Sequence, residues 1–316
     1  MAKVIAVRLL SCLAVVAGSS VLVFCILYVL PGDVVMNMID PSSMSPEAIA
    51  NLRHELGVDR PFYEQFLHYF REVLRGDFGK SLVNSEPVLP KIFAHLPATL
   101  ELAISASFVS LTVGLALGVL SAVHRNKPID IAVRIVALFG ISMPTFWSGI
   151  LLILIFSVFL GWFPAMGSNG WNTLVLPALT LGMLGAGFIV RMVRNSMLEV
   201  LGEPFITTLR AKGLAERAVL YRHALRNALI PGVTMMGILA GEMLAGTVVI
   251  ETVFSRQGIG RIIADAIMAK DLPVVQGVVL FTAIVYVIVN ALVDISYAYI
   301  DPRIRRLHND RRSGWA

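Results

Sequence analysis

The stretch IVALFGISMPTFWSGILLILIFSVFLGWFPAMGSNGWNTLVLPALTLGMLGAGFIV, residues 135–190, contains no Asp, Glu, Lys or Arg. Its 56 residues suffice for two membrane spans of about 20 residues and the turn between them. A helix on the surface of a soluble domain keeps a charged face toward water, and this run offers none. The whole chain agrees: 57% of its 316 residues are hydrophobic and its mean hydropathy is +0.77, against about 45–50% apolar residues in soluble domains. These features predict an all-α polytopic membrane protein.

Outward from this run, the apolar pattern predicts six spans, roughly 9–30, 98–123, 132–160, 173–192, 229–250 and 275–297. Each must be helical, because backbone groups in lipid have to be satisfied within their own segment. The domain reading follows: 1–30 as the first transmembrane helix, 31–97 as an extracytoplasmic helical segment, 98–297 as a five-helix core that includes the loop 191–230, and 298–316 as a tail. Lys3 and Arg8 ahead of an apolar run resemble a signal peptide. The run is longer than an h-region and Pro31-Gly32-Asp33 is a poor cleavage site, so an uncleaved helix is expected.

Lys and Arg set the orientation. Seventeen lie in the N-terminus, the 124–134 turn, the 191–230 loop and the tail, against three in the opposite short loops, 161–172 and 251–274. Both termini and the 191–230 loop are therefore expected in the cytoplasm. The net charge of +5 belongs to these span ends. No basic patch with interleaved aromatics points to nucleic acid. Cys12 and Cys25 share the first apolar run, too far apart on one helix to bridge.

The 191–230 loop, RMVRNSMLEVLGEPFITTLRAKGLAERAVLYRHALRNALI, carries seven basic residues. Each would cost about 2.5–3.5 kcal/mol at a bilayer centre. The loop reads as two short helices. One ends near Lys212 with Gly213 as the break; the next runs from about Ala215 through Arg226, and Pro231 opens the fifth span at its first turn. Phe205, Ile206, Leu209, Leu214, Val219 and Leu220 are apolar and are expected to need a partner that buries them. In the outer segment, Ser45-Pro46-Glu47 reads as a helix start. Gly57 reads as a stop, and Phe62, Phe66, Phe70 and Leu74 as one packing face of a second helix. Gly114…Gly118, Gly182…Ala186 and Gly237…Gly241 have the spacing of close helix contacts.

Motifs for chemistry are few. Gly79-Lys80-Ser81 resembles the end of a phosphate loop, but that motif needs a glycine where Leu74 stands. Six scattered histidines show no metal-ligand spacing, and no nucleophile motif occurs. No catalytic residue and no metal ligand is expected. Glu242 is an ionisable group inside the fifth span. Such a group either lines a polar pathway, where it would favour cationic solutes, or lies near the outer end of the span, or pairs structurally at the subunit interface.

The run RAKGLAERAVLYRHALRNALIP, residues 210–231, closely resembles the coupling loop of ATP-binding-cassette (ABC) permeases of the dipeptide/oligopeptide/nickel type. Further matches follow in order along nearly the whole chain: PGD at 31–33, LGVDRPFYEQF at 56–66, GDFGKSL at 76–82, LPATLELA at 96–103, GISMPTFWSGILLILIFS at 140–157, LGWFPAMG at 160–167, ETVFSRQGIGR at 251–261, DLPVVQG at 271–277 and YAYIDPRIR at 297–305. The long segment after the first span resembles that of the first of the two permeases. The resemblance implies the six-helix type I importer fold and a multi-pass place in a bacterial or archaeal cell membrane, the inner one in Gram-negative cells. It implies as partners a second, similar permease, two cytoplasmic ATPases and an extracytoplasmic substrate-binding protein. ATP and Mg would be used by the ATPases, with no cofactor bound by this chain. The coupling site would comprise Phe205, Leu209, Arg210, Ala211, Lys212, Gly213, Leu214, Glu216, Arg217, Arg222 and His223. Residues 205–209 depart from the type's usual sequence, which touches the choice of ATPase. The rival functions are a secondary transporter, or a membrane scaffold or enzyme, none of which needs an ATPase.

Overall fold

A computed structural model describes residues 14–25, 45–55 and 59–300. The expected stop at Gly57, the Pro31-Gly32-Asp33 motif and the basic tail fall outside the described residues, as does Cys12. The helices, in order, are α1 (Ala14–Cys25), α2 (Pro46–Glu55), α3 (Phe62–Leu74), α4 (Val88–Val123), α5 (Pro128–Ser142), α6 (Thr145–Leu152), α7 (Asn172–Leu201), α8 (Pro204–Ala211), α9 (Leu225–Val253), α10 (Ile259–Met268) and α11 (Leu272–Ile300). Two π-helical segments, π1 (Ile153–Phe159) and π2 (Ala218–Ala224), continue α6 and lead into α9. Among the described residues, α4, α7 and α11 are long and apolar enough to cross a bilayer, and α5 with α6 and π1 adds a fourth, broken candidate.

The third span, expected as one helix over 132–160, is broken in two. α5 and the α6–π1 helix meet at 113°. Pro144 has no N–H to offer and pushes Met143 out of the helical region, to ψ 134°. Uniform hydrophobicity on both sides hides such a bend from a reading based on composition.

The chain packs as two compact units. The first holds the described residues up to Thr99 together with Gln257–Ile288. Here Ser45 accepts a hydrogen bond from the Ala48 N–H at 3.2 Å and starts α2 as expected. The aromatic face of α3 is a packing face: Phe24 of α1 meets Phe62 edge-on at 5.3 Å, Phe66 at 5.4 Å and Tyr69 at 5.8 Å between ring centroids. Leu74, expected on that face, is 73% exposed. The packing face ends at Phe70, one turn before the chain leaves the helix at Arg75 and Gly76.

Also in this unit, the 76–87 turn docks on the start of α11. Val88 and Ile92 are buried with Ile259, Ile262, Val274 and Val278. The Ser81 hydroxyl and the Leu82 N–H both donate to the Asp271 carboxylate, the latter at 3.0 Å. Gly79-Lys80-Ser81 is thus part of a structural turn.

The second unit spans Leu100–Arg256 and resumes at Val289. Its long helices approach closely through small residues. A Cβ added at Gly114 would lie 2.6 Å from Ile189, and one at Gly118 would lie 2.9 Å from Val193, so the expected glycine spacing is the α4–α7 contact. One core gathers Leu102, Leu176, Leu181, Met243, Ile250 and Phe254. Buried Arg256, just past α9, reaches back to pair with Glu101.

Candidate functional site: the exposed turn after α7

Two expectations about the 191–230 loop need correction. α7 continues as helix to Leu201, past the expected end of its span. After the turn, helix is regained at Glu216 and runs through π2 and α9 to Val253 without the expected stop at Arg226. Pro231 therefore sits inside α9 rather than in its first turn. Pro231 removes a donor, and apolar packing on both sides sustains the helix through the lost bond.

The loop's apolar residues are largely buried by the chain itself. Ile206 and Val219 are 0% exposed and share a core with Ile189, Val193, Met197 and Ala224, while Leu209, Leu214 and Leu220 pack partly against it. The expectation that all of them await a partner is overturned for Ile206 and Val219. They form the base on which the turn stands. The sequence shows only that these residues are apolar; which face meets α7 depends on the tertiary fold.

What remains outward is the turn itself. Phe205, Arg210, Ala211, Lys212, Gly213, Glu216, Arg217, Tyr221 and Arg222 are exposed, and His223 is half-buried. Gly213 has φ +77°, and a Cβ there would meet nothing within 4 Å. Backbone conformation, not crowding, asks for glycine. Across the turn the Arg210 guanidinium donates to both Glu216 carboxylate oxygens, at 2.7 and 3.1 Å. That hydrogen bond holds the Glu216 carboxyl below the usual carboxylate range and raises Arg210. Both groups are well exposed, so the pair shapes the turn more than it stabilises it, contributing about 0.2–1 kcal/mol. The surface offers cations, the aromatic rings of Phe205 and Tyr221, and open backbone beside them. That is chemistry for protein docking. Among the described residues no cluster of His, Cys, Asp and Glu could hold a metal.

Glu242 is not part of this surface. It lies 19 residues beyond His223, roughly 28 Å along the helix. It shares an exposed stripe of α9 with Ile238, Ala245 and Val249, while Leu239 and Met243 on the adjoining face are buried.

A second cluster escaped the sequence reading. Asp130, in the first turn of α5, is fully buried. It accepts two bonds from Arg194 of α7, both 2.8 Å, one from the Ser121 hydroxyl of α4 at 2.5 Å and one from the Asn126 N–H at 2.9 Å. In the sequence Arg194 reads only as a loop charge. Its partner lies 64 residues away, where no local pattern can reach it.

Comparison with known proteins agrees with this architecture. Residues 114–306 match the family described as the binding-protein-dependent transport system inner membrane component, and residues 1–103 match its N-terminal companion. The chain is 41% identical, over 94% of its length and 97% of theirs, to the glutathione transport system permease proteins GsiC of Escherichia coli K12 and Salmonella typhi. Its fold is similar to that of a chain of the inward-facing MetNI methionine ABC transporter, with TM-score 0.58 and 23% identity over 69% of this chain and 99% of that one. A chain of an amino acid ABC transporter shares the fold more loosely, at TM-score 0.52 and 13% identity over 67% of this chain and 94% of that one. The chain belongs to the family of binding-protein-dependent transport system inner membrane components. It is a transmembrane permease subunit of an ABC importer.

Proposed function

We propose that this permease carries a small peptide or peptide-like solute, and that the exposed turn from α8 to π2 is where a cytoplasmic ATPase takes hold. The observation that carries the docking reading is the contrast between a buried base, Ile206 and Val219, and an outward set, Phe205, Lys212, Gly213, Arg217 and Arg222. A surface held rigidly from behind suits a contact that must transmit force. Six spans, both termini in the cytoplasm, a second permease, two ATPases using ATP and Mg, and an extracytoplasmic binding protein complete the assembly. The charge distribution and the family support this arrangement.

The peptide-like solute is supported by the identity to permeases named for glutathione transport. Glu242 is a candidate pathway residue. A carboxylate on an exposed stripe of an apolar helix is too costly to face lipid, and it fits a watery pathway or the second permease. A carboxylate there disfavours an anion such as glutathione, which makes Glu242→Gln informative: faster uptake of anionic over cationic peptides supports the pathway role, and unchanged selectivity removes it.

The test of the main reading is affinity purification of the tagged chain from membranes. An ATP-binding subunit should be recovered with the wild type and lost when Ala211–Gly213 are replaced by bulky acidic residues. Recovery indifferent to that change would place the ATPase contact elsewhere on the chain and overturn the docking role of this turn.

A further inference from the structure

We propose that the Asp130–Arg194 pair is a rigid joint that makes the α5 start, the α4 end and the α7 end move as one body during the transport cycle. The proposal rests on the importer reading above. Asp130 is fully buried and takes donors from α4, from the backbone of the turn after α4, and from α7, so one carboxylate ties three helices. Arg134, one turn along α5, adds a further cation at 3.5 Å. Arg194 is 14% exposed and engages Asp130 through two parallel bonds, the geometry in which arginine fixes orientation as well as distance.

The joint's place gives it a use. Arg194 precedes the end of α7 at Leu201 by two helical turns, about 10 Å, and α8 begins three residues later. Motion delivered at the exposed turn therefore enters α7 next to the joint. α5 leads to the 113° break before α6, so the joined helix is one that can lever its neighbour. Asp130 and Arg194 are positioning residues: they act by keeping α7 from sliding against α5. Breaking a pair whose carboxylate is fully buried would loosen both ends.

The experiment places spin labels at exposed Lys127 and Glu199, each replaced by cysteine in a chain whose Cys12 and Cys25 are serine. The complete importer is reconstituted and the label–label distance measured without nucleotide and after trapping with ATP and vanadate. The expected result is one narrow distance that changes by less than about 2 Å on trapping. With Arg194→Lys, which keeps the charge and loses the two-bond fork, the distance should broaden and become nucleotide-dependent. A pair that merely stabilises the fold would lower the melting temperature of that variant yet leave its distance narrow and fixed, and this outcome would overturn the proposal. A nucleotide-dependent distance in the wild type overturns it without any variant having to assemble. A wild-type assembly that hydrolyses no ATP would strike the importer reading itself, and the joint's role with it.

Discussion

Gly79 and Gly213 share a left-handed φ, +78° and +77°, and each adjoins a lysine in a turn. The turns around them are used in opposite ways. At Gly79 the chain is pinned: Asp77 accepts from the Gly79 N–H at 2.8 Å, Asp271 accepts from Ser81 and Leu82, and an added Cβ would meet Pro273 at 3.7 Å. At Gly213 nothing lies within 4 Å of an added Cβ, and the one side-chain bridge across the turn, Arg210–Glu216, is exposed. A turn whose polar groups are satisfied by its own chain has a structural role. A turn equally well shaped, but left open above a buried base, suits a partner.

The largest expected effect tests that base. Ile206→Ala leaves a cavity against Val193 and Met197 and should cost about 2–5 kcal/mol, read as a lower melting temperature of the purified chain. If Ile206 were a docking residue instead, stability would hold and only ATPase recovery would fall. Next is the pinned turn. Asp271→Ala orphans the Ser81 hydroxyl and the Leu82 N–H, at about 1–3 kcal/mol for each group that water cannot reach, seen as early proteolysis of the 76–87 turn.

The two glycines give a matched pair. Alanine at either position strains the left-handed backbone by about 1–2 kcal/mol. Both should lower stability by a similar amount, but Gly79→Ala should leave uptake intact, whereas Gly213→Ala should also reduce ATP-driven uptake by about tenfold. Equal loss of uptake from both would erase the distinction between the turns.

The smallest effect concerns pH. Glu216 has its carboxyl lowered by Arg210, so the pair's contribution is complete above the ordinary carboxylate pKa and is lost as pH falls through the depressed value. Glu216→Gln should change stability at pH 7 by less than about 1 kcal/mol and should flatten the acid limb of ATPase recovery. A steep change near neutral pH would point to a different titrating group.

Much of this was readable in the residues. The Ser45 cap, the aromatic face of α3, the Gly114–Gly118 contact and the break at Gly213 all follow from local spacing or backbone preference. The remainder depends on groups distant in sequence. Ile206 and Val219 look like partner-seeking residues until α7 is seen to run on beneath them. Arg194 looks like loop charge until Asp130 is found beside it. Pro144 sits in plain view, yet only the geometry of Met143 shows that it turns the helix by 113° rather than kinking it gently.

The comparison of the two turns is tested most directly by photocrosslinking in intact membranes. One crosslinker replaces exposed Ala211, beside Gly213, and another replaces Val83, 67% exposed in the pinned turn. The expected result is a crosslink from position 211 to an ATP-binding subunit and none from position 83. An ATPase crosslink at position 83, or its absence at position 211 in membranes that contain the assembled importer, would contradict the docking role of the open turn.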